Sequence, residues 1–366
     1  MTDGKIILQN ISGLEAGAAP NTKSNILGAA LAIISSIALF SVVIFVFGRA
    51  KYIDSVEASL GVATGHPAWK TFQSRVLGPY IIKALSFGSL DRYVAAHIFF
   101  HIVTVAIAAF LCWRLGRKYG GNDQSALFAL MLFVTCFVSL LSPPWLYSWD
   151  LIDIIVFLVF IDFVLSNRSL PWFLGLFAIA MWNRDSADFI ALWLILDPLV
   201  RFSYQRRYGR SKISLEWQQM LAGAICIGAG LVLAESLRQS LLIEEMAPKI
   251  FINNPVTAGN RYNFVLPLNI EFLKDSLFTV AAWITITFLG TVIFLGAKFA
   301  RLDPQRYLAL YFTELALVAA LLLFGMISEP RIFLILVPFA VSSAVLVTSL
   351  QNTAAGRHEM GRARKR

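Results

Sequence analysis

The chain has 366 residues, of which 58% are hydrophobic and only 14% charged, with a mean hydropathy of +0.70. Ordinary soluble domains carry about 25% charged residues, so this composition excludes them and points to an all-α, polytopic integral membrane protein. The formal net charge of +9 does not imply a nucleic-acid partner, because the Lys and Arg residues gather in short clusters beside apolar runs, where they act as orientation signals.

Residues 1–25 read as a mixed polar tail, expected to be cytoplasmic. No cleavable signal peptide is expected, since the first apolar run begins late and lacks a small-residue cleavage site. About ten transmembrane helices are predicted, near 26–48, 92–112, 124–141, 146–166, 169–183, 186–200, 217–237, 275–297, 307–327 and 331–350. Most approach the ~20 residues that cross ~30 Å of hydrocarbon. Together they make a membrane domain of 26–350 with outer loops at 49–91 and 238–274, followed by a basic cytoplasmic tail at 351–366. Cys112, Cys136 and Cys226 all fall in apolar runs, which argues against a disulfide framework or a Cys-rich zinc site.

Charge parity orders these spans. With both termini inside, the clusters at Arg114, Arg117 and Lys118, at Arg168, at Arg201 to Lys212, at Lys298, Arg301 and Arg306, and in the C-terminal tail share one side. Residues 169–200 decide the matter. As one helix they would run about 48 Å and send every later cluster outward. As two short arms with a turn at Asn183 to Ser186, they keep those clusters inside. The turn is then expected on the outer side, sheltered below the surface by neighbouring helices.

Under this topology the unusual polar residues converge on the outer face. The first outer loop contributes Asp54, Glu57, His66 and Arg75. Asp150 and Asp153, three residues apart, share one helix face and would repel each other unless an Arg, a metal or a shared proton compensates. Arg184 stands among Asp185, Asp188 and Asp150, and Glu329 is the expected partner of Arg331. These charges read either as structural ion pairs or as an anion site, since an Arg fork suits phosphate or carboxylate. His97 and His101 share a helix face, which suits interhelical hydrogen bonding, or metal binding if Asp150 or Asp153 supplied a third ligand. Trp145, Tyr147 and Trp149 suit an interfacial aromatic belt, with stacking on a sugar ring or lipid carrier as the alternative. Asp162 and Glu314 are expected in the inner half as packing residues, and the 238–274 loop holds Glu244, Glu245, Lys249, Arg261 and Tyr262 without an evident purpose. No nucleotide-binding loop, nucleophile elbow or zinc-protease motif is present, nor an internal repeat of the kind found in many transporters.

Four pieces occur in order: Asp54 and Glu57 leading to QSRVLGPYI, then YSWDLIDIIVF, WNRDSADF and SEPRIFLILVPF. Together they resemble bacterial members and relatives of the GT-C superfamily of membrane glycosyltransferases. The resemblance implies a GT-C-like fold and a polyprenyl-phosphate-linked sugar donor, with membrane lipids around it, used on the outer, periplasmic face of a bacterial inner membrane. It implies a catalytic carboxylate in the first outer loop, Asp54 first and Glu57 second. No Asp-x-Asp pair stands in that loop and no soluble C-terminal domain follows, so a divalent metal is left open and no cofactor is assigned. Asp54, Glu57 or Asp150 would take the acceptor proton, with Arg75, Arg184 and Arg331 on the donor phosphate and Asp153, Asp185 and Glu329 completing the substrate site. The alternative expectation is a transporter or flippase for a charged lipid or solute.

Overall fold

The computed structural model describes residues 22–64, 75–141, 146–207, 215–241, 265–276, 279–325, 327 and 329–349. Among them 90% are helical and none is in a strand, as follows when apolar segments must satisfy their own backbone polar groups. In chain order the helices are α1 (Thr22–Thr64), α2 (Leu77–Leu85), α3 (Leu90–Gly120), α4 (Asp123–Leu140), α5 (Ser148–Leu165), α6 (Leu170–Met181), α7 (Asp188–Arg207), α8 (Trp217–Leu241), α9 (Leu266–Ser276), α10 (Val280–Leu302) and α11 (Pro304–Phe324). A 3₁₀ segment, Pro330–Leu336, leads into the last helix, α12 (337–349).

Seven helical stretches among the described residues are long and apolar enough to cross a membrane: Thr22–Val46, α3, α4, Trp217–Leu237, Ala282–Leu302, α11 and Pro330–Ser349. The other three predicted spans are also helical but do not meet that length and composition. α5 carries Asp150, Asp153 and Asp162, α6 has only 12 residues, and α7 carries acids at one end and arginines at the other. The membrane-protein class stands, and the three exceptions are the helices that build the polar site.

The expected loop at 49–91 is corrected: it is mostly helix. α1 continues to Thr64 through a kink at Gly48, whose φ of 68° and ψ of 157° belong to a region that suits only glycine. Beyond the kink, Tyr52, Ser55, Val56 and Ser59 turn inward while Asp54 and Glu57 turn outward. Ser59 Oγ meets Tyr93 Oη at 2.9 Å, and Tyr52 Oη meets His97 Nδ1 at 2.9 Å, so the polar residues that resemble loop sequence are helix-packing contacts to α3. The expected loop at 238–274 is likewise helical at both edges, in α8 and α9. Its Glu244, Glu245, Lys249, Arg261 and Tyr262 lie outside the described residues, as do His66, Trp145, residues 1–21 and the tail at 351–366.

α12 is the centre of the bundle, since Pro330–Ser349 is 94% buried, against 22% for the outer helices Thr22–Val46 and Trp217–Leu237. Local chemistry sets the turns. Asn122 caps α4 by accepting from Ser125 N at 2.8 Å, and Asp303 caps α11 by accepting from Arg306 N at 3.3 Å, with Pro304 at its first position. These turns share one end of the bundle. Ser24 Oγ donates to Asp123 at 2.7 Å, Lys118 Nζ donates to Asp162 at 2.7 Å, and Arg306 donates to Leu165 O at 3.4 Å. Among the described residues, Lys118 and Arg306 of two predicted inner clusters therefore lie together, with Asp162 beside them. Glu314 is buried in α11 against Gly296 of α10.

Candidate functional site

At the opposite end, four connections meet. The chain after Met181 turns through Asn183 and a short 3₁₀ segment, Asp185–Ala187, into α7, so 169–200 is the predicted hairpin. The carbonyl of Trp182 accepts from Val76 N at 3.0 Å and Leu77 N at 2.8 Å, which ties the start of α2 to this turn. α2 also lies close to α5: a Cβ on Gly78 would stand 2.6 Å from Ser148 Oγ.

The first turn of α5 supplies the acids. Asp150 and Asp153 face the same way and are only 2% and 3% exposed at their side chains. Asp150 accepts from Tyr147 N at 3.2 Å, from Arg331 Nη1 at 2.8 Å and from Arg184 Nη1 at 3.5 Å. Asp153 accepts from Asn183 Nδ2 at 2.8 Å, Ser186 Oγ at 3.2 Å and Arg184 Nη1 at 3.3 Å. The repulsion expected between the two carboxylates is thus relieved by arginine. Asp150 is thus an anchor shared by two guanidinium groups, one on each of its oxygens.

The three arginines differ in what they have left to offer. Arg331 spends Nη1 on Asp150 and Nη2 on Glu329 at 2.5 Å, and its guanidinium lies 4.4 Å from the centre of the Tyr147 ring. Arg75 lies 5.4 Å from the Trp149 ring centre. Burial, then the neighbouring Arg184, push its guanidinium down to about 10 against the pull of Asp185 and Asp150. Arg184 is held through Nη1 alone, by two long contacts, and its side chain is 15% exposed. Among the described residues its Nε and Nη2 make no hydrogen bond. These donors are therefore available at the end of the bundle, beside the exposed Asp185.

Several expectations change here. Tyr147 and Trp149 are buried and stack on each other at 4.6 Å, beneath two arginines, so they do not form an interfacial belt. A buried aromatic pair of this kind gives the cations a polarisable floor. Asn183, Ser186 and the Trp182 carbonyl shape the site although their residue types carried no sequence signal beyond lying in the turn. Asp54 and Glu57 are both exposed, and neither shares a hydrogen bond or ion pair with a described residue. His97 and His101 lie at the α1–α3 interface with rings 4.4 Å apart, against Tyr52. His97 makes the interhelical hydrogen bond that this spacing suits, to Tyr52 of α1, and neither Asp150 nor Asp153 joins the pair as a third metal ligand. Among the described residues no three His, Cys, Asp or Glu side chains gather as a metal would require.

Comparison with known proteins finds no matching family, no matching curated protein and no matching solved structure.

Proposed function

We propose that this chain is a GT-C-like membrane glycosyltransferase that takes a sugar from a polyprenyl-phosphate carrier on the outer face of a bacterial inner membrane. The observation that supports this reading is the open edge of Arg184, a guanidinium steadied by Asp150 and Asp153 with two donor nitrogens left for an anion. Charge at membrane depth is costly enough that an incompletely used arginine calls for a ligand, and its planar fork matches a phosphate. Positive-inside parity supports placing this end outside and both termini in the cytoplasm.

In the proposed reaction the acceptor hydroxyl oxygen bonds to the anomeric carbon as the bond from that carbon to the phosphate oxygen breaks. The hydroxyl proton passes to a carboxylate, and the polyprenyl phosphate departs as an anion stabilised by Arg184. The family resemblance assigns the base to Asp54 or Glu57, whose exposed carboxylates have no competing partner among the described residues. Asp150 is less suited, because it is buried and its oxygens already accept from three donors.

The test uses the full chain in lipid nanodiscs with polyprenyl phosphate as the probe. Arg184→Gln should weaken its binding about tenfold to a hundredfold, the worth of charge-assisted hydrogen bonds at one phosphate, with the protein still monodisperse. Transfer from labelled polyprenyl-phosphate sugars should then fail in Asp54→Asn or Glu57→Gln. Equal binding by Arg184→Gln overturns the site. Movement of the lipid across proteoliposomes with no sugar bond formed would replace the transferase with a flippase.

A further inference from the structure

A second site lies at the basic end of the bundle, independent of the transferase reading. The α5–α6 turn, the middle of α7 and the start of α8 enclose a cavity of about 680 Å³, within the ~300–1,000 Å³ of small-molecule sites. Its inner wall is apolar, with Leu170, Phe173 and Trp193, and the last two rings stack at 4.7 Å. Its mouth carries two arginines and two acids, Arg168, Arg201, Asp197 and Glu216.

These four charges are not equivalent. Asp197 is 1% exposed and fully used: Oδ1 accepts from Arg201 Nε at 3.0 Å, and Oδ2 accepts from Gln219 Nε2 at 3.3 Å. That contact orients Arg201 by one nitrogen, and its two terminal nitrogens make no hydrogen bond with a described residue. Arg168 is exposed, resting 5.8 Å from the ring of Trp172, which itself reaches outward. Glu216 is exposed and its carboxylate makes no hydrogen bond or ion pair with a described residue. With Asp197 satisfied internally, the mouth offers two guanidinium groups and one carboxylate above an apolar wall.

We infer that this cavity binds an amino-phospholipid of the inner leaflet, its phosphodiester on Arg201 and Arg168, its ammonium on Glu216 and the start of an acyl chain along Leu170, Phe173 and Trp193. Basic pockets between helices on the cytoplasmic side are suited to lipid head groups, and Arg pairs bind phosphate oxygens bidentately. The carboxylate is what selects: it favours a primary ammonium and opposes a purely anionic head group.

The experiment is native mass spectrometry of the full chain, delipidated in detergent and titrated separately with phosphatidylethanolamine, phosphatidylglycerol, phosphatidylcholine and glycerophosphoethanolamine. Phosphatidylethanolamine should be retained roughly fivefold better than phosphatidylglycerol, as one well-placed exposed ion pair allows. Glu216→Gln should bring that preference to parity, while Arg168→Gln and Arg201→Gln should lower retention of all three phospholipids. Arg168 and Glu216 are exposed, so their variants keep the fold even if Arg201→Gln, which strands Asp197, does not. Phosphatidylglycerol retained as well as phosphatidylethanolamine, or an unchanged preference in Glu216→Gln, overturns the assignment. Equal retention of glycerophosphoethanolamine, which has no acyl chain, overturns the lipid and makes the ligand soluble.

Discussion

Asp150 carries more of the arginine–carboxylate site than any other side chain, because it is nearly inaccessible and shared between Arg184 and Arg331. Removing its charge would leave Arg331 with Glu329 alone and Arg184 with Asp153 alone, both in a low-dielectric setting. Breaking a buried ion pair from one side costs about 3–5 kcal/mol, because the remaining partner keeps its desolvation penalty. Asp150→Asn should therefore destabilise the protein by that order, seen as a lower thermal unfolding midpoint in detergent, whereas the exposed Glu57→Gln should stay within about 0.5 kcal/mol of the parent. Equal midpoints for the two variants would show that the cluster contributes no stability. The contrast also separates anchoring from chemistry: Arg184→Gln removes an open donor edge, and its main effect is expected on ligand binding.

Among the helices, α2 is the short piece that brings Arg75 against Trp149, and its position depends on two contacts. The Trp182 carbonyl holds its first turn by two backbone hydrogen bonds, and Gly78 lets that turn lie against Ser148. Gly78→Ala would place a methyl group 2.6 Å from Ser148 Oγ, closer than packed atoms tolerate. Overpacking of this kind costs about 1–3 kcal/mol. Gly78→Ala should therefore destabilise the protein, and adding Ser148→Ala should recover part of the loss, giving a double-mutant coupling of about 0.5 kcal/mol or more. Strict additivity would mean that α2 and α5 do not press on each other. Gly48 works differently: nothing lies near it, and its requirement is its backbone conformation.

For the molecule as a whole, the two polar ends make a topology prediction. Cys112, Cys136 and Cys226 are buried, so a single introduced thiol reports cleanly. Asp185→Cys, at the hairpin turn, should react with a membrane-impermeant maleimide in intact spheroplasts. Asn167→Cys, in the α5–α6 turn beside the cavity, should react only after permeabilisation. The reverse labelling pattern would invert the orientation, and with it the leaflet assigned to each site. The two sites would then face opposite leaflets, with α5 running between the carboxylates of one and the cavity of the other.

Much of this organisation is legible in the residues alone, because lipid imposes a strict rule: apolar runs become helices and basic clusters stay on one side. That rule yields the helical membrane class, the hairpin at Asn183 to Ser186, the grouping of Lys118 with Asp162 at one end, and the pairing of Arg331 with Glu329. It does not distinguish a polar loop from a helix whose serines and tyrosines pack inward, and so 49–64 read as loop. Nor does it separate Trp149 at a membrane surface from Trp149 under a cation, since the residue type suits both. Which arginine keeps donors open is likewise invisible in one dimension. It depends on Asn183 and Ser186 sharing Asp153 with Arg184, and on Glu329 and Asp150 taking both terminal nitrogens of Arg331, contacts between segments up to 181 residues apart that packing alone brings within hydrogen-bond reach.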